Sequence, residues 1–566
     1  MNRENTQESG HARRVLIIGL DGVTWDLIGP WVDDGELPNL RALVDRGVSG
    51  PLTTTVPPVS ASAWASFATG TNPGKHGIVD FTAPRPGGYD IVVNHAARRT
   101  GIPFWDLVGG QGKRVVVMGV PGTYPPRPVE GSLVCSFMTP SPQSTYTYPA
   151  SLKAELERAV GPFPLAPPET HRGGPVSAFL ADMSGCLDRR AATAHYLLER
   201  DDWSLGIIVF ASTDMLQHEL WHLFDPTHPL HDPAAAETHR PAVLRYFRRL
   251  DEHIGELTRQ AGPDAAVIVM SDHGFGPFHS FLHLNNWLRR LGLLQLRRGA
   301  VTAVKSATFG LGFTPLNVLK LLSRIGLGSL RGQVKGGKKG GLLRRLFLSF
   351  ADVDWSRTQA FAVGNFGQVY INVAGVRPQG CVRPGLQYEA VRDRIAEAAL
   401  ALRDPQTGDP LVLRVNRREE IYAGPRSEEL PDLILHTDRR KYVSFGHADF
   451  GSNRLVEPGF GQTGHHMMDG VFVLAGSSAR QGRRLDGAGI LDIAPTALHL
   501  LGIPLPDNLD GRVLVEALED RFLAERPIRR AEASDPTAPP SGGETTYSAD
   551  DDEAVRAHLR GMGYVA

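Results

Sequence analysis

The stretch from Val15 to Asp26, VLIIGLDGVTWD, opens with six residues that carry no polar side chain and breaks at Asp21-Gly22. A continuous run of that length fits a strand covered on both faces in a parallel sheet. Comparable runs recur at RVVVMGVPG (114–122), LGIIVFAS (205–212), AAVIVMSDHG (265–274) and GVFVLAG (470–476), with helix-like segments between them. This alternation predicts an α/β fold, a mostly parallel central sheet with helices on both faces. Ligands bind such sheets beyond the carboxyl ends of the strands. Asp21, Asp214, Asp272 and His273 each stand within a few residues of a predicted strand end, so acids and imidazoles collect at one edge.

The rest of the composition narrows the class. The chain has 566 residues, 42% hydrophobic and 21% charged, with a formal net charge of -1. That size calls for a large domain with insertions or several smaller ones. The charge balance gives no global attraction for nucleic acid, and no specific nucleic-acid binding is expected. Cys135, Cys186 and Cys381 are far apart and form no C-x-x-C pair, which argues against a disulfide framework or a cysteine zinc site. Residues 1–13 lack the apolar core of a secretory signal, and no run is long and apolar enough to span a bilayer. The expected address is the cytoplasm.

Four fragments hold the candidate chemistry. TTTVPPVSASAWASFATGTNPGKHGIVDF (53–81) is rich in hydroxyls, among them Thr55, Ser60, Ser62 and Ser66. STDMLQH places Asp214 and His218 four residues apart, on one face of a helical turn. MSDHG contributes Asp272 and His273, and TGHHMMDG contributes His465 and His466. Carboxylate and imidazole donors suit zinc, with manganese or iron also accommodated at an oxygen-rich position. Two divalent ions about 4 Å apart can activate an attacking oxygen and hold a departing one, which is what hydrolysis of a phosphate ester requires. Each residue alone has an ordinary structural reading; their joint occurrence at strand ends favours a metal site.

The ordered set of Asp21-Gly22, a hydroxyl followed ten residues later by a glycine (Ser60 to Gly70), NPGKHGI, D-x-x-x-H, SDHG and a final G-x-H resembles the alkaline phosphatase superfamily. Within it the chain resembles the type I phosphodiesterase/nucleotide pyrophosphatase group. FLHLNNWLRRLGLL, VYINVAG, LPDLIL, DIAPTALHLLGIPLPDNLDG and the terminal LRGMGYV are similar to that group's further landmarks. The resemblance implies an alkaline-phosphatase-like fold and two divalent metal ions. One would be held by Asp214, His218 and the G-x-H histidine, His466 with His465 as the competing register. The other would be held by Asp21, Asp272 and His273. Ser60 would be the nucleophile, touching the second ion and forming a phosphoserine, with Thr55, Ser62 and Ser66 as competitors. The implied activity is hydrolysis of phosphodiesters or phosphomonoesters. Phosphotransfer or mutase chemistry, and a non-catalytic binding protein of the same fold, stay open as alternatives. Ser60 is followed by Ala61, Ser62, Ala63 and Trp64, so the C/S-x-P-x-R context of sulfatases is missing.

The expected organisation is a phosphohydrolase domain over 14–520 with cap insertions at about 82–204 and 285–440. A polar linker over 521–550 and a C-terminal helix over 551–566 follow. Residues 289–345 are basic and hold no Asp or Glu. They read as a cap with a solvated basic loop, or as a contact for an anionic membrane surface beside the site.

Overall fold

The computed structural model describes residues 14–168, 174–324, 346–446, 450–533 and 547–562. Its centre is a ten-stranded sheet. The strands that matter for the site are β1 (Val15–Leu20), β2 (Gly47–Thr53), β3 (Val115–Met118), β4 (Gly131–Val134), β5 (Thr147–Tyr148), β6 (Leu205–Phe210) and β7 (Ala266–Met270). Beyond the sheet lies β8 (Gly274–Pro277); later strands are β9 (Ala360–Ala362), β10 (Gln368–Ile371), β11 (Val412–Arg417), β12 (Leu433–Thr437), β13 (Gly464–Met467) and β14 (Asp469–Ala475). The central order runs β2, β14, β7, β1, β6, β3, β4, β5, with short strands at Arg483–Arg484 and Ala488–Gly489 beside β2.

The five strands from β7 to β4 are parallel. Every residue of β1, β3, β6 and β7 is buried, because helices cover both faces, and this is why those segments read as unbroken apolar runs. β14 pairs antiparallel with β7 and β2, and β5 pairs antiparallel with β4. In register, Leu20 lies beside Phe210 and Gly19 beside Met270. The chain therefore leaves β1, β6 and β7 at one edge, and Asp21, Asp214, Asp272 and His273 follow those exits.

Residues 82–204, expected as a cap, supply β3, β4 and β5 of the central sheet. The apolar run at 114–122 already read as a strand and is β3, while the Pro-rich stretches around β4 and β5 masked those two. A separate hydrophobic core forms between about 282 and 456, around the antiparallel sheet β9-β10-β12-β11. The stretch read as a polar linker from 521 begins with the helix Asp520–Glu525, whose Phe522 is buried in the main core, and Arg530–Ala531 pairs with Leu505–Pro506; the rest of that expectation, 534–546, lies outside the described residues. The C-terminal helix spans Ala549–Met562 and buries Val555 and Leu559 against the main core.

Of the basic segment, 325–345 lies outside the described residues. In its described part Lys305 pairs with Asp352 at 3.0 Å and Lys320 with Glu457 at 2.5 Å. Those two cations are thus engaged within the fold. Among the described residues no helix is long and apolar enough to cross a membrane.

Candidate functional site

Each site residue is delivered by a short local device. Asp21 is the first residue beyond β1, and its amide still donates to Phe210 O at 3.1 Å. Gly22 follows with φ +69°, a turn in which a side chain would be strained, and a Cβ there would stand 3.0 Å from Asp214 Oδ1 and 3.2 Å from His273 Cε1. Helix α1 (Ser60–Thr69) begins at Ser60, is buried along its whole length, and ends at Gly70 in the left-handed conformation. Helix α2 (Val176–Arg200) lies on the face of the sheet. Helix α3 (Ser212–Leu220) follows β6 directly and presents Asp214 and His218 from adjacent turns. Asp272 and His273 occupy the turn between β7 and β8, and β8 pairs with β13 so that Phe275 lies opposite His466.

These devices bring all seven predicted residues into one buried cluster. Asp214 lies 3.5 Å from His218 Nε2 and 3.3 Å from His466 Nε2. The Nε2 of His273 is 3.7 Å from Asp21, 3.5 Å from Asp272 and 3.9 Å from Asp214. Ser60 Oγ is 3.0 Å from the same nitrogen. Two donor sets have their ligand atoms within 4.8 Å of one another: Asp21, Asp272 and His273, and Asp214, His273 and His466. His273 stands between both, its ring stacked on His466 with centroids 3.7 Å apart.

The histidine tautomers follow from their partners. Nδ1 of His218 donates to Gly464 O at 2.8 Å, Nδ1 of His466 to Pro58 O at 3.0 Å, and Nδ1 of His273 to Gly274 O at 2.9 Å. A carbonyl can only accept, so each neutral ring keeps its proton on Nδ1 and turns an unprotonated Nε2 to the centre. Burial keeps the rings of His218 and His466 neutral, lowering the first and pushing the second down to about 3. The Nε2 atoms of His218 and His466 are only 3.0 Å apart. Two lone pairs at that distance repel unless a cation lies beside both.

The carboxylates carry the same demand. Asp21 Oδ1 and Asp272 Oδ2 are buried and accept no hydrogen bond. Burial and then the neighbouring carboxylates of Asp272 and Asp214 raise Asp21 well above its ordinary range. Burial pushes Asp272 up to about 7, although the Gly22 amide donates to its Oδ1 at 3.1 Å. Burial also works against ionised Asp214, and positive charge at His218, His466 and His273 would outweigh it and hold that carboxylate below its usual range; with those rings neutral, a cation would have to supply that charge. A divalent cation would compensate this concentration of buried acids and unprotonated imidazole nitrogens.

The competing candidates are engaged elsewhere. Thr55 Oγ1 donates to Pro57 O and Ser62 Oγ, each at 3.1 Å. Ser66 Oγ meets His76 Nε2 at 2.8 Å inside the core. His465 shares β13 with His466 but its ring packs on Phe366, with centroids 4.9 Å apart. Lys75 is tied to Asp510 at 2.5 Å and to Asn508 O at 2.8 Å.

Several supporting residues escape sequence reasoning. Trp64 Nε1 donates to Asp21 Oδ2 at 3.3 Å, Gln217 to Gly22 O at 2.9 Å and Ser271 to Val23 O at 2.7 Å. The second core adds Asn365, Phe366, Thr437, Arg439 and Ser444, which line a pocket with His465 and His466. Arg439 follows the strand-like LPDLILHTD by one residue, and nothing in its local sequence signals the site.

The chain shares its fold with phosphonoacetate hydrolase from Sinorhizobium meliloti 1021, solved in complex with phosphonoacetate: TM-score 0.50, 16% identity, over 87% of this chain and 96% of that one. It also aligns with an inactive form of murine ectonucleotide pyrophosphatase/phosphodiesterase 5 in complex with AMP, with TM-score 0.47 and 13% identity over 90% of this chain and 100% of that one. No curated protein matches it in sequence. The family model for type I phosphodiesterase/nucleotide pyrophosphatase matches residues 15–328, more than half of the chain. That span includes β1, α1, α3 and the turn after β7, and the chain belongs to the type I phosphodiesterase/nucleotide pyrophosphatase family of the alkaline phosphatase superfamily.

Proposed function

We propose that this chain hydrolyses phosphodiesters at a centre of two divalent metal ions, through a covalent intermediate on Ser60. The observation that carries the reading is the buried set of unprotonated imidazole nitrogens and carboxylate oxygens around Ser60 Oγ. One ion would be held by Asp214, His218 and His466, the other by Asp21, Asp272 and His273, with Ser60 beside it. The imidazole-rich set suits zinc, and the more oxygen-rich set admits manganese or iron. When bound, the ions would supply positive charge that eases loss of the serine proton and neutralises the phosphoryl oxygens.

The residues of the chain do the rest. Ser60 starts α1, and its neighbours' amides precede the first intrahelical bond, from Ala63 N–H to Val59 O at 2.9 Å. A helix N-terminus of this kind favours an anion at the nucleophile. Ser60 Oγ lies 3.0 Å from His273 Nε2, which puts the nucleophile within reach of the ion that this nitrogen would hold. Ser60 Oγ gives its proton to solvent and attacks phosphorus; the ester P–O bond breaks with its electron pair on the leaving oxygen, which takes a proton from solvent and departs as one alcohol. Water then attacks the phosphoserine, breaks its P–O bond and restores the hydroxyl.

Arg439 supports a substrate with a second arm. It is half-buried at the pocket beside His465 and His466, and burial alone lowers its guanidinium to about 10. Its Nη1 lies 3.5 Å from Met468 Sδ, and among the described residues it forms no ion pair with a carboxylate. An anionic group on the far side of the scissile bond would meet it. Arg439→Gln is expected to raise KM for a diester carrying such a group by roughly 10- to 100-fold, with kcat little changed. An unchanged KM would remove Arg439 from substrate binding.

Metal uptake should be linked to protons. Asp272, held near 7 without metal, and Asp21, raised well above its ordinary range, must release protons when a cation binds. Affinity for zinc, measured by chelator competition, is expected to fall at least about tenfold from pH 8 to pH 6. A flat profile would contradict the carboxylate assignment. Hydrolysis of paired chromogenic monoesters and diesters by zinc- or manganese-loaded protein tests the function itself. Diester preference supports it, monoester preference moves the chain to a phosphatase, and bound metal without turnover of either sinks it.

A further inference from the structure

A second group of metal-ligating side chains lies outside that centre, between two long helices. α2 carries Asp188 and His195 two turns apart on one face. Helix α4 (Pro233–Ala261) carries His253, Glu256 and Gln260 at spacings of three and four residues, again on one face. One ligand atom from each of His195, His253 and Glu256 lies within 4.8 Å of the others. His195 Nε2 is 3.3 Å from Glu256 Oε2, and His253 Nδ1 is 3.2 Å from the same oxygen.

Both rings are held in the orientation that frees the inward nitrogen. Gln260 Nε2 donates to His195 O at 2.9 Å, which fixes the amide so that Oε1 faces His195 Nδ1 at 2.8 Å. That oxygen only accepts, so His195 carries its proton on Nδ1 and turns Nε2 inward, a buried atom with no hydrogen-bond partner. On the other ring, His253 Nε2 donates to Asp188 Oδ1 at 2.9 Å, and Arg249 holds the same carboxylate oxygen at 2.8 Å. The ring's other nitrogen, His253 Nδ1, faces Glu256 Oε2. An imidazole held by a carboxylate or amide on its far nitrogen is the usual support of a metal-binding histidine. Two ring nitrogens and one carboxylate oxygen thus converge on a single point, where one cation could be held by all three.

We infer that His195, His253 and Glu256 form a third divalent cation site, of zinc class, that staples α2 to α4. Two nitrogens and one carboxylate oxygen match the donors zinc takes, and water can complete a four-coordinate shell. Glu256 is 42% exposed and His195 30%, so the site is open to solvent on one side. His253 is 5% exposed and forms its inner wall. The role assigned is structural, because the three ligands join two helices that pack on each other.

The competing reading is a set of ordinary ion pairs between protonated histidines and Glu256. The full-length chain, stripped with a chelator and re-equilibrated with Zn²⁺, separates the two. Bound zinc per chain and the zinc-induced rise in Tm are measured for wild type, His195→Ala, Glu256→Gln and Asp188→Asn. The site predicts one equivalent fewer and a smaller rise in Tm for His195→Ala and Glu256→Gln, with ester turnover retained. Asp188→Asn should weaken that equivalent by about 10- to 100-fold. A zinc count and Tm rise equal in wild type and all three variants, whatever their values, overturns the inference. The outcome is independent of the catalytic reading, because Asp272→Ala should retain the equivalent that His195→Ala loses.

Discussion

Ser60→Ala is expected to lower ester turnover by between roughly 10⁴- and 10⁶-fold, the range seen when a nucleophile or its partner is removed from an enzyme that works as a unit. The same variant should keep its full complement of metal. Ser60 Oγ is buried against His273 Nε2, and its three competitors are engaged elsewhere. Thr55 and Ser62 are bonded to each other, and Ser66 to His76. Alanine at the first position of α1 costs little in the helix, so loss of turnover would report chemistry rather than folding. Ser66→Ala is the control: it breaks a buried hydrogen bond, costs about 1–3 kcal/mol of stability, and should leave turnover per folded molecule intact.

Asp272→Asn is expected to reverse the order of stabilities with and without metal. In the metal-free wild type, Asp272 has a folded pKa near 7, raised by burial, against about 4 when unfolded. The folded state then holds a proton that the unfolded state has lost, so the wild type loses stability as pH rises from about 4 through 7. The asparagine of the variant cannot ionise, and its amide can donate to Asp21 Oδ1, which has no partner. At pH 8 the metal-free variant should therefore melt above the metal-free wild type, and the gap should close as pH falls toward 4. Zinc should invert that order. At a hundredfold excess over Kd, ligand binding adds about 2.7 kcal/mol per site, which the variant forgoes at the damaged position. Melting curves at pH 5 and pH 8, with and without zinc, check both halves. A metal-free variant less stable than wild type at pH 8 would contradict the protonation assigned to Asp272.

The centre of this fold was legible because parallel strands covered on both faces must be apolar throughout. β1, β6 and β7 announce themselves in that way, and residues just beyond them have to lie at one sheet edge. The i, i+4 spacing of Asp214 and His218 was equally local. Strand alternation sends His465 and His466 to opposite sides of β13, but only pairing with β8 settles which side faces Asp214. The apolar run at 114–122 announced β3 as well, whereas β4 and β5 were obscured by proline-rich connections. Phe522 was lost in a polar average, although one buried aromatic suffices to dock a short helix. Arg439 had no signal at all, because a pocket wall supplied by a separate core depends on how two distant segments pack.

Rapid acid quench of metal-loaded enzyme turning over a diester, followed by peptide mass analysis, tests the central claim most directly. A phosphoryl adduct is predicted on the peptide containing Ser60, absent from Ser60→Ala and carrying the retained arm of the diester. Turnover at full rate with no adduct at any time point, together with inversion of configuration at phosphorus, would show direct attack by water and contradict a covalent intermediate on Ser60.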